Sequence, residues 1–482
     1  MKDYCTHKGA ALSEGRVTDS GNFQCAYHGW SFDGSTGECV EIPQLFNTKG
    51  SPSETIRSAK IPSRACGTAV PAQIHQEMVW LFPGGGLEKA LLAPPPPSLP
   101  EYECDGMMKM STVVRDMPVD WPILVSNIFD PDHGLFAHQN TDFDFYTATL
   151  DCPFETFDVV ETGGGGWSLS TKIDARQKIV AIGRSLREGS TTTTTKKKKK
   201  KKKPQDNPAT PWATYHFDAP TTIRMKRIDK ETGDTKFVSF FHICPVGVGR
   251  SRFMAGSLSK VKTPRWLSHL MFANFVDQDT YLLATQQQYV LSREADELRG
   301  LLKESGIDPS DTKRLKSLRM STRRKHFCLA SPSERLGSTI ETFFDATLAR
   351  SPNRVDKLLK LDESGAFLKT PSREVVLDRK TQNLDVCKDS RDVVRNCRRF
   401  KTVAKLLSLV LSVAKIRSVV SLAASPGLMR PFLKTSSLCA SFLFLFVTSF
   451  VANKWEKEYY FKYTDKMRRR DLKKIPSIWG DR

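Results

Sequence analysis

Cys5-Thr6-His7 and, after a gap of seventeen residues, Cys25-Ala26-Tyr27-His28 form a C-x-H and C-x-x-H pair that constrains this chain more tightly than any other feature. Four ligand-type side chains in two short loops can act together only if a rigid frame holds both loops side by side. Two thiolates can hold one iron of a [2Fe–2S] cluster while two neutral imidazoles hold the other. Replacing thiolates by imidazoles removes negative charge and raises the reduction potential, which makes such a site a one-electron relay. Zinc is the alternative occupant of a Cys/His quartet, although zinc ribbons favour C-x-x-C pairs. Gly9 follows the first pair and Gly29-Trp30-Ser31-Phe32-Asp33-Gly34 the second, small residues that permit tight turns over a buried centre.

A second constellation lies in Asn127-Ile128-Phe129-Asp130-Pro131-Asp132-His133-Gly134-Leu135-Phe136-Ala137-His138, with two histidines five apart and an aspartate three before the first. On a helix or a distorted turn these fall near one face. Two neutral imidazoles plus one carboxylate make a facial triad for Fe(II), with open positions where dioxygen and a substrate can meet. The carboxylate must come from elsewhere, and in Asp277-Gln278-Asp279 the preferred ligand is Asp279, with Asp277 the alternative. Taken alone, His133 and His138 also fit two surface or capping histidines. Asp130 is a candidate for a carboxylate that orients a ligand imidazole and bridges toward the cluster, or else a helix cap beside Pro131.

Residues 1–105 read as β-rich, with turn sequences such as Asp19-Ser20-Gly21-Asn22 and a last strand near Met78–Phe82. Gly84-Gly85-Gly86 and Pro94–Pro97 look like a linker. A second domain is expected over 106–370, with helical spacing near 123–138 and from Trp266 to Glu294 and a strand-like run Lys236–His242. It contains a low-complexity insert at 188–210 that cannot bury a core. Of the formal charge of +20, that insert's Lys196–Lys203 supplies eight, leaving a dispersed +12 that gives no footprint for nucleic acid. The 39% hydrophobic content excludes a fully disordered chain, and eleven irregularly spaced cysteines exclude a secreted disulfide framework. Residues 371–402 read as a linker, 403–453 as a membrane region and 454–482 as a basic tail. Within the membrane region nineteen uncharged residues, 435–453, are long enough to cross a hydrocarbon core of about 30 Å, and 406–429 is a possible second or interfacial span.

Together these motifs resemble the Rieske non-haem iron oxygenases of the group that includes pheophorbide a oxygenase, chlorophyllide a oxygenase and the Rieske subunit of the chloroplast inner-envelope translocon. The resemblance rests on Cys5-Thr6-His7-Lys8-Gly9-Ala10, Leu12–Arg16, Gln24–Phe32, Ile42-Pro43-Gln44 and Asn127–His138, and more weakly on Pro332-Ser333-Glu334 and Leu377-Asp378-Arg379. It implies an α+β chain: a β-rich Rieske [2Fe–2S] domain, then a helix-grip-like catalytic domain on an antiparallel sheet, then one or more C-terminal membrane helices. It also implies that Cys5, His7, Cys25 and His28 bind the cluster, that His133, His138 and Asp279 bind iron, and that Asp130 bridges. Ferredoxin or a similar donor, dioxygen, a chlorophyll-type tetrapyrrole, a plastid membrane and a homotrimer are the implied partners and setting. The alternative within the resemblance is a redox subunit of a membrane import complex that turns over no substrate. Two departures stand out. Cys5 follows the start so closely that preceding strands and a targeting peptide are expected to be missing, and Cys387-Lys388-Asp389-Ser390 keeps only the first thiol of a C-x-x-C pair, with Cys397 ten residues on, so two unpaired thiols are expected.

Overall fold

The computed structural model describes residues 1–46, 61–104, 106–130, 132–133, 137–138, 154–162, 168–175, 213–229, 232–260, 264–330, 334–363, 370–422, 442–454 and 456–457. The insert at 188–210 and all but three residues of the 454–482 tail lie outside them. The chain divides into two units, residues 1–100 and the remainder from Glu101.

In the first unit, turn chemistry spaces four short strands, β1 (Arg16–Val17), β2 (Phe23–Gln24), β3 (Ser31–Phe32) and β4 (Cys39–Glu41), into an antiparallel meander. Asp33 closes the β3–β4 turn: its Oδ1 accepts from the backbone N–H groups of Ser35 and Thr36 and from both hydroxyls, which hold its pKa down at about 2. A separate hairpin pairs β5 (Ala72–His75) with β6 (Met78–Leu81). The core beneath the meander is Cys5, Leu12, Cys25, Phe32, Cys39, Ile42 and Ala65, so both cysteines of the motif belong to the hydrophobic centre of the unit. The stretch expected as a linker is partly folded, with Gly86–Leu92 forming a helix.

The second unit is built on one eight-stranded antiparallel sheet. Its order is β7 (Met108–Lys109), β14 (Arg250–Ser259), β13 (Thr235–Gly247), β12 (Thr222–Ile228), β11 (Ala213–Asp218), β10 (Ser168–Ala175) and β9 (Phe154–Thr162), while β8 (Val113–Met117) also pairs with β14. Alternation marks one covered face: Ala213, Tyr215 and Phe217 are buried on β11 and their neighbours are not. Helices α1 (Trp121–Ile128), α2 (Arg265–Ser305), α3 (Thr322–His326), α4 (Arg335–Thr347) and α5 (Pro352–Glu363) belong to this unit, and residues of α1, α2, α4 and α5 share its core with the sheet. In α2, Leu270, Ala273, Val276, Leu283, Ala284, Val290, Leu291 and Leu298 recur at three- to four-residue intervals or their multiples, giving the 41-residue helix a continuous apolar stripe. Gly306, in the left-handed region at φ 59°, ends it.

Residues 371–402, expected as a linker, are instead folded against this unit. A single turn Arg373–Val376 and a π-helical turn Lys380–Leu384 lead into α6 (Lys388–Leu422), and Arg379, Gln382 and Asn383 are buried. The physical reason is polar: Asn383 Nδ2 donates to the Val114 carbonyl at 2.8 Å, and Arg379 reaches into α2. The possible span 406–429 is not a separate element, since α6 runs through 402 without a break and 423–441 lie outside the described residues. Among the described residues no helix is long and apolar enough to cross a membrane, and the first seven residues of the 435–453 run are not among them.

Candidate metal centres

The two loops of the first unit are built alike. Cys5 N–H donates to the Ala10 carbonyl at 2.7 Å and Gly9 N–H to the Cys5 carbonyl at 2.8 Å; Cys25 N–H donates to the Trp30 carbonyl at 2.9 Å and Gly29 N–H to the Cys25 carbonyl at 3.0 Å. Gly9 and Gly29, at φ 77° and 75°, make the same left-handed turn four residues after each cysteine, which a side chain would strain. This repetition sets the two thiols together and the two imidazoles together. Burial pushes the Cys5 thiol pKa up, and the adjacent Cys25 thiol adds to that. His7 and His28 meet edge to face with centroids 4.5 Å apart, and Trp30 stacks on His7 at 4.5 Å with the planes 1° apart. His7 Nδ1 is buried without a hydrogen-bond partner, a cost that a metal bond at that nitrogen removes.

Side chains from two elements converge in the second unit. The helix α1 ends at Ile128, and His133 and His138 follow it in sequence and meet α2 at Asp279. His133 Nε2 lies 3.7 Å and His138 Nε2 3.4 Å from Asp279 Oδ2. The ligand atoms of these three residues all lie within 4.8 Å of one another; among the described residues they are the one His/Cys/Asp/Glu group that does. Both imidazoles are oriented through their other nitrogen. His133 Nδ1 meets the Asp130 carbonyl oxygen, and His138 Nδ1 lies 2.9 Å from Gln278 Oε1. An N–H at Nδ1 leaves each Nε2 lone pair facing Asp279, the tautomer a metal needs.

Asp130 contributes through both its backbone and its carboxylate. It is the backbone carbonyl that orients His133, while Oδ1 accepts from the N–H groups of Asp132 and His133 at 2.9 and 3.1 Å, as a turn cap does. Burial raises the pKa of that carboxyl. Burial works against charge on the triad too, yet Asp279 lifts His133 to about 9, and the two imidazoles hold Asp279 well below the carboxylate range. Asp279 Oδ1 is buried without a hydrogen-bond partner, so the donor set fits a cation that binds both imidazoles and this carboxylate.

Asp277 is excluded as the third ligand by its own partners. Arg115 Nη2 lies 2.5 Å from Asp277 Oδ1, and Arg379 Nε and Nη2 both lie 2.7 Å from Oδ2, all with side chains no more than 1% exposed. Gln278 and the Phe275 ring stacked 3.6 Å over His138 are supporting residues that sequence reasoning missed. Their signal was position: with Asp279 they occupy two turns of one helix face, at 275, 278 and 279. A cavity of about 470 Å³ opens beside the triad, lined by Asp130, His133 and Asp279 with Asn127, Leu282 and Gln286 among its other walls.

Known proteins match both halves of this arrangement. Residues 1–52 match the Rieske [2Fe-2S] domain family and residues 217–297, which contain Asp279, match the family described as pheophorbide a oxygenase. Pheophorbide a oxygenase of Oryza sativa subsp. japonica is 40% identical over 140 residues, 29% of this chain and 25% of that protein. Two Arabidopsis thaliana proteins align over longer stretches: protochlorophyllide-dependent translocon component 52, 26% identical over 61% of this chain and 53% of that protein, and protein TIC 55, 29% identical over 60% and 46%. The chain thus spans between about a quarter and a half of the length of these relatives. The cluster loops lie in the segment that matches the Rieske [2Fe-2S] domain, and the triad carboxylate lies in the segment that matches pheophorbide a oxygenase.

Proposed function

We propose that this protein is an oxygenase that takes electrons at a Rieske cluster held by Cys5, His7, Cys25 and His28 and spends them at an iron held by His133, His138 and Asp279, oxidising a chlorophyll-type tetrapyrrole with dioxygen. The observation that carries the reading is the convergence of two oriented imidazoles and one carboxylate beside a cavity that His133 and Asp279 line. When bound, the iron supplies dioxygen activation. The chain's residues supply the rest. Gln278 and the Asp130 carbonyl hold the ligand imidazoles, Phe275 packs His138 from behind, and α2 fixes Asp279 between two turns of a buried helix. The cavity falls within the range of about 300–1,000 Å³ of small-molecule sites, with Phe129, Leu282, Leu283, Phe327 and Leu329 offering apolar contact to a flat macrocycle and Asn127 and Gln286 offering polar anchors. Asp130, whose backbone carbonyl orients the ligand His133, is the proposed bridge toward the cluster that feeds this iron, in a homotrimer the cluster of a neighbouring subunit.

Ferredoxin or a similar one-electron protein is the proposed donor, and a plastid membrane the proposed location. Exposed Leu406, Leu409, Val410, Val413 and Ile416 on α6 and Phe444, Phe446 and Phe450 on the helix at 442–454 support membrane association. The two helices are tied at their polar end, where Arg398 and Lys401 lie 2.6 and 2.5 Å from Glu456. An electron-transfer subunit of an import complex, the reading that the relative named as a translocon component would favour, leaves the triad and its cavity without use. Iron analysis tests the proposal: the oxygenase requires about three irons per chain, two in the cluster and one at the triad, whereas two irons with no product from chlorophyll derivatives and reduced ferredoxin contradict it.

A further inference from the structure

The cavity has a second chemically active wall that metal binding does not use. Ser126 on α1 and Glu341 on α4 line it, and the Ser126 hydroxyl is hydrogen-bonded to Glu341 Oε1. Behind them runs a chain of buried ions. Glu341 Oε2 lies 2.7 Å from Arg323 Nε, Arg323 Nη2 lies 2.9 Å from Glu294 Oε1, and Glu294 Oε2 lies 2.7 Å from Arg354 Nη2. Arg354 then donates to both oxygens of Asp120, at 2.7 and 3.1 Å. Asp345, which accepts from Arg323 N–H at 3.2 Å, is paired with Arg324.

Setting aside that last pair, the carboxylates are Asp120, Glu294 and Glu341 and the guanidiniums are Arg323 and Arg354, so one negative charge is in excess. An uncompensated carboxylate in this interior is costly, and a proton removes the cost. Asp120 has two bonds from Arg354 and a third from Gly249 N–H at 3.1 Å, and Glu294 faces both arginines. Glu341, 4% exposed, has one arginine and a neutral hydroxyl. Burial raises its pKa, with Asp345 and Glu294 adding to the rise and Arg323 and Ser126 opposing it. On the cavity side the other titratable walls are Asp130, Glu334, His326 and Cys328, besides the triad's His133 and Asp279.

We propose that Glu341 and Ser126 form a proton relay into this cavity. With the proton on Glu341, its O–H donates to Ser126 Oγ and the Ser126 hydrogen turns toward the cavity; Ser126 passes that hydrogen to a reduced oxygen there as Glu341 replaces it. Water entering through the mouth of the cavity, where His326 and Cys328 are exposed, reprotonates Glu341 after product leaves. The relay rests on the oxygenase reading. Inserting one atom of dioxygen into a substrate and releasing the other as water consumes two electrons, delivered one at a time by the donor, and two protons; a substrate that fills the cavity excludes bulk water, so the relay supplies the first proton, and the water that enters as product leaves supplies the second and recharges Glu341.

Infrared spectra of the iron-loaded full chain in H2O and D2O at neutral pH test where the proton is. A carboxylic-acid carbonyl band that shifts in D2O is expected in the wild type and absent in Glu341→Gln. Product formed per electron is expected to fall about a hundredfold in Glu341→Gln and Ser126→Ala, with reduced oxygen released as hydrogen peroxide and cluster reduction unchanged. Product from a wild type that lacks a band removable by Glu341→Gln overturns the relay alone, as does full coupling in Ser126→Ala. A wild type that shows the band but makes no product overturns the oxygenase reading instead.

Discussion

A helix turns about 100° per residue, so Asp277 and Asp279 project roughly 200° apart from α2 and meet different surroundings. Asp279 faces two imidazoles and Asp277 faces two guanidiniums. Asp279→Ala is therefore expected to lose the mononuclear iron while keeping the cluster, lowering iron from about three to about two per chain with the reduced-cluster paramagnetic resonance signal unchanged; retention of the third iron would remove Asp279 from the ligand set. Asp277→Ala acts on stability instead, because it leaves Arg115 and Arg379 buried beside no acid, a loss of about 3–5 kcal/mol measurable by denaturant unfolding. A Cys-x-His and Cys-x-x-His spacing and a His-x4-His pair are readable without a structure because ligand chemistry dictates residue type. Which of two aspartates turns inward is not, since it depends on Arg115 and Arg379, 162 and 102 residues away from Asp277 in sequence. Asp130 shows the other limit: a carboxylate near a ligand histidine reads the same in sequence whether it orients the ring or caps the turn.

At the scale of elements, α2 joins the triad to the rest of the second unit, and its N-terminal end is held by a buried histidine. His269 Nδ1 lies 2.8 Å from Ser390 Oγ at the start of α6, and Nε2 lies 3.0 Å from Ser111 Oγ. Burial pushes the pKa of His269 down to about 4, with Asp389 opposing, and pushes that of His242 on β13 to about 4 as well. Each is below the unfolded value of about 6.5, so the unfolded chain binds the proton first. Stability is complete above about pH 6.5 and falls as pH drops toward 4, by on the order of 3 kcal/mol for each histidine. Unfolding free energies at pH 7 and pH 4.5 check the direction, and His269→Gln is expected to flatten the slope; a stability that rises on acidification over that interval would contradict it. The strand run near Lys236–His242 and the helical spacing from Trp266 were legible because periodicity reports a half-buried face. Residues 371–402 were not, since their anchors are polar: buried Arg379, Gln382 and Asn383 resemble solvent-exposed residues until their partners on β8 and α2 are known.

For the whole molecule, the apolar surface of α6 and the 442–454 helix is the face proposed to meet a membrane. Vesicles of plastid lipid are expected to float the full chain, and Leu406→Asp together with Val410→Asp and Phe446→Asp to abolish flotation while iron content stays the same; unchanged flotation would assign that surface to something other than lipid. The run at 435–453 was legible as apolar, and its described part carries exposed Leu443, Phe444, Phe446, Val447 and Phe450. The central claim is that the two metal centres of one protein work in sequence on a tetrapyrrole. Its most direct test is a single turnover under 18O2, with iron-loaded protein whose clusters have been reduced beforehand and a panel of pheophorbide, chlorophyllide and later chlorophyll catabolites. The account predicts a product heavier by one 18O atom, formed as the cluster reoxidises and absent in Asp279→Ala; fully loaded protein whose cluster reoxidises while every tetrapyrrole remains unlabelled would contradict it.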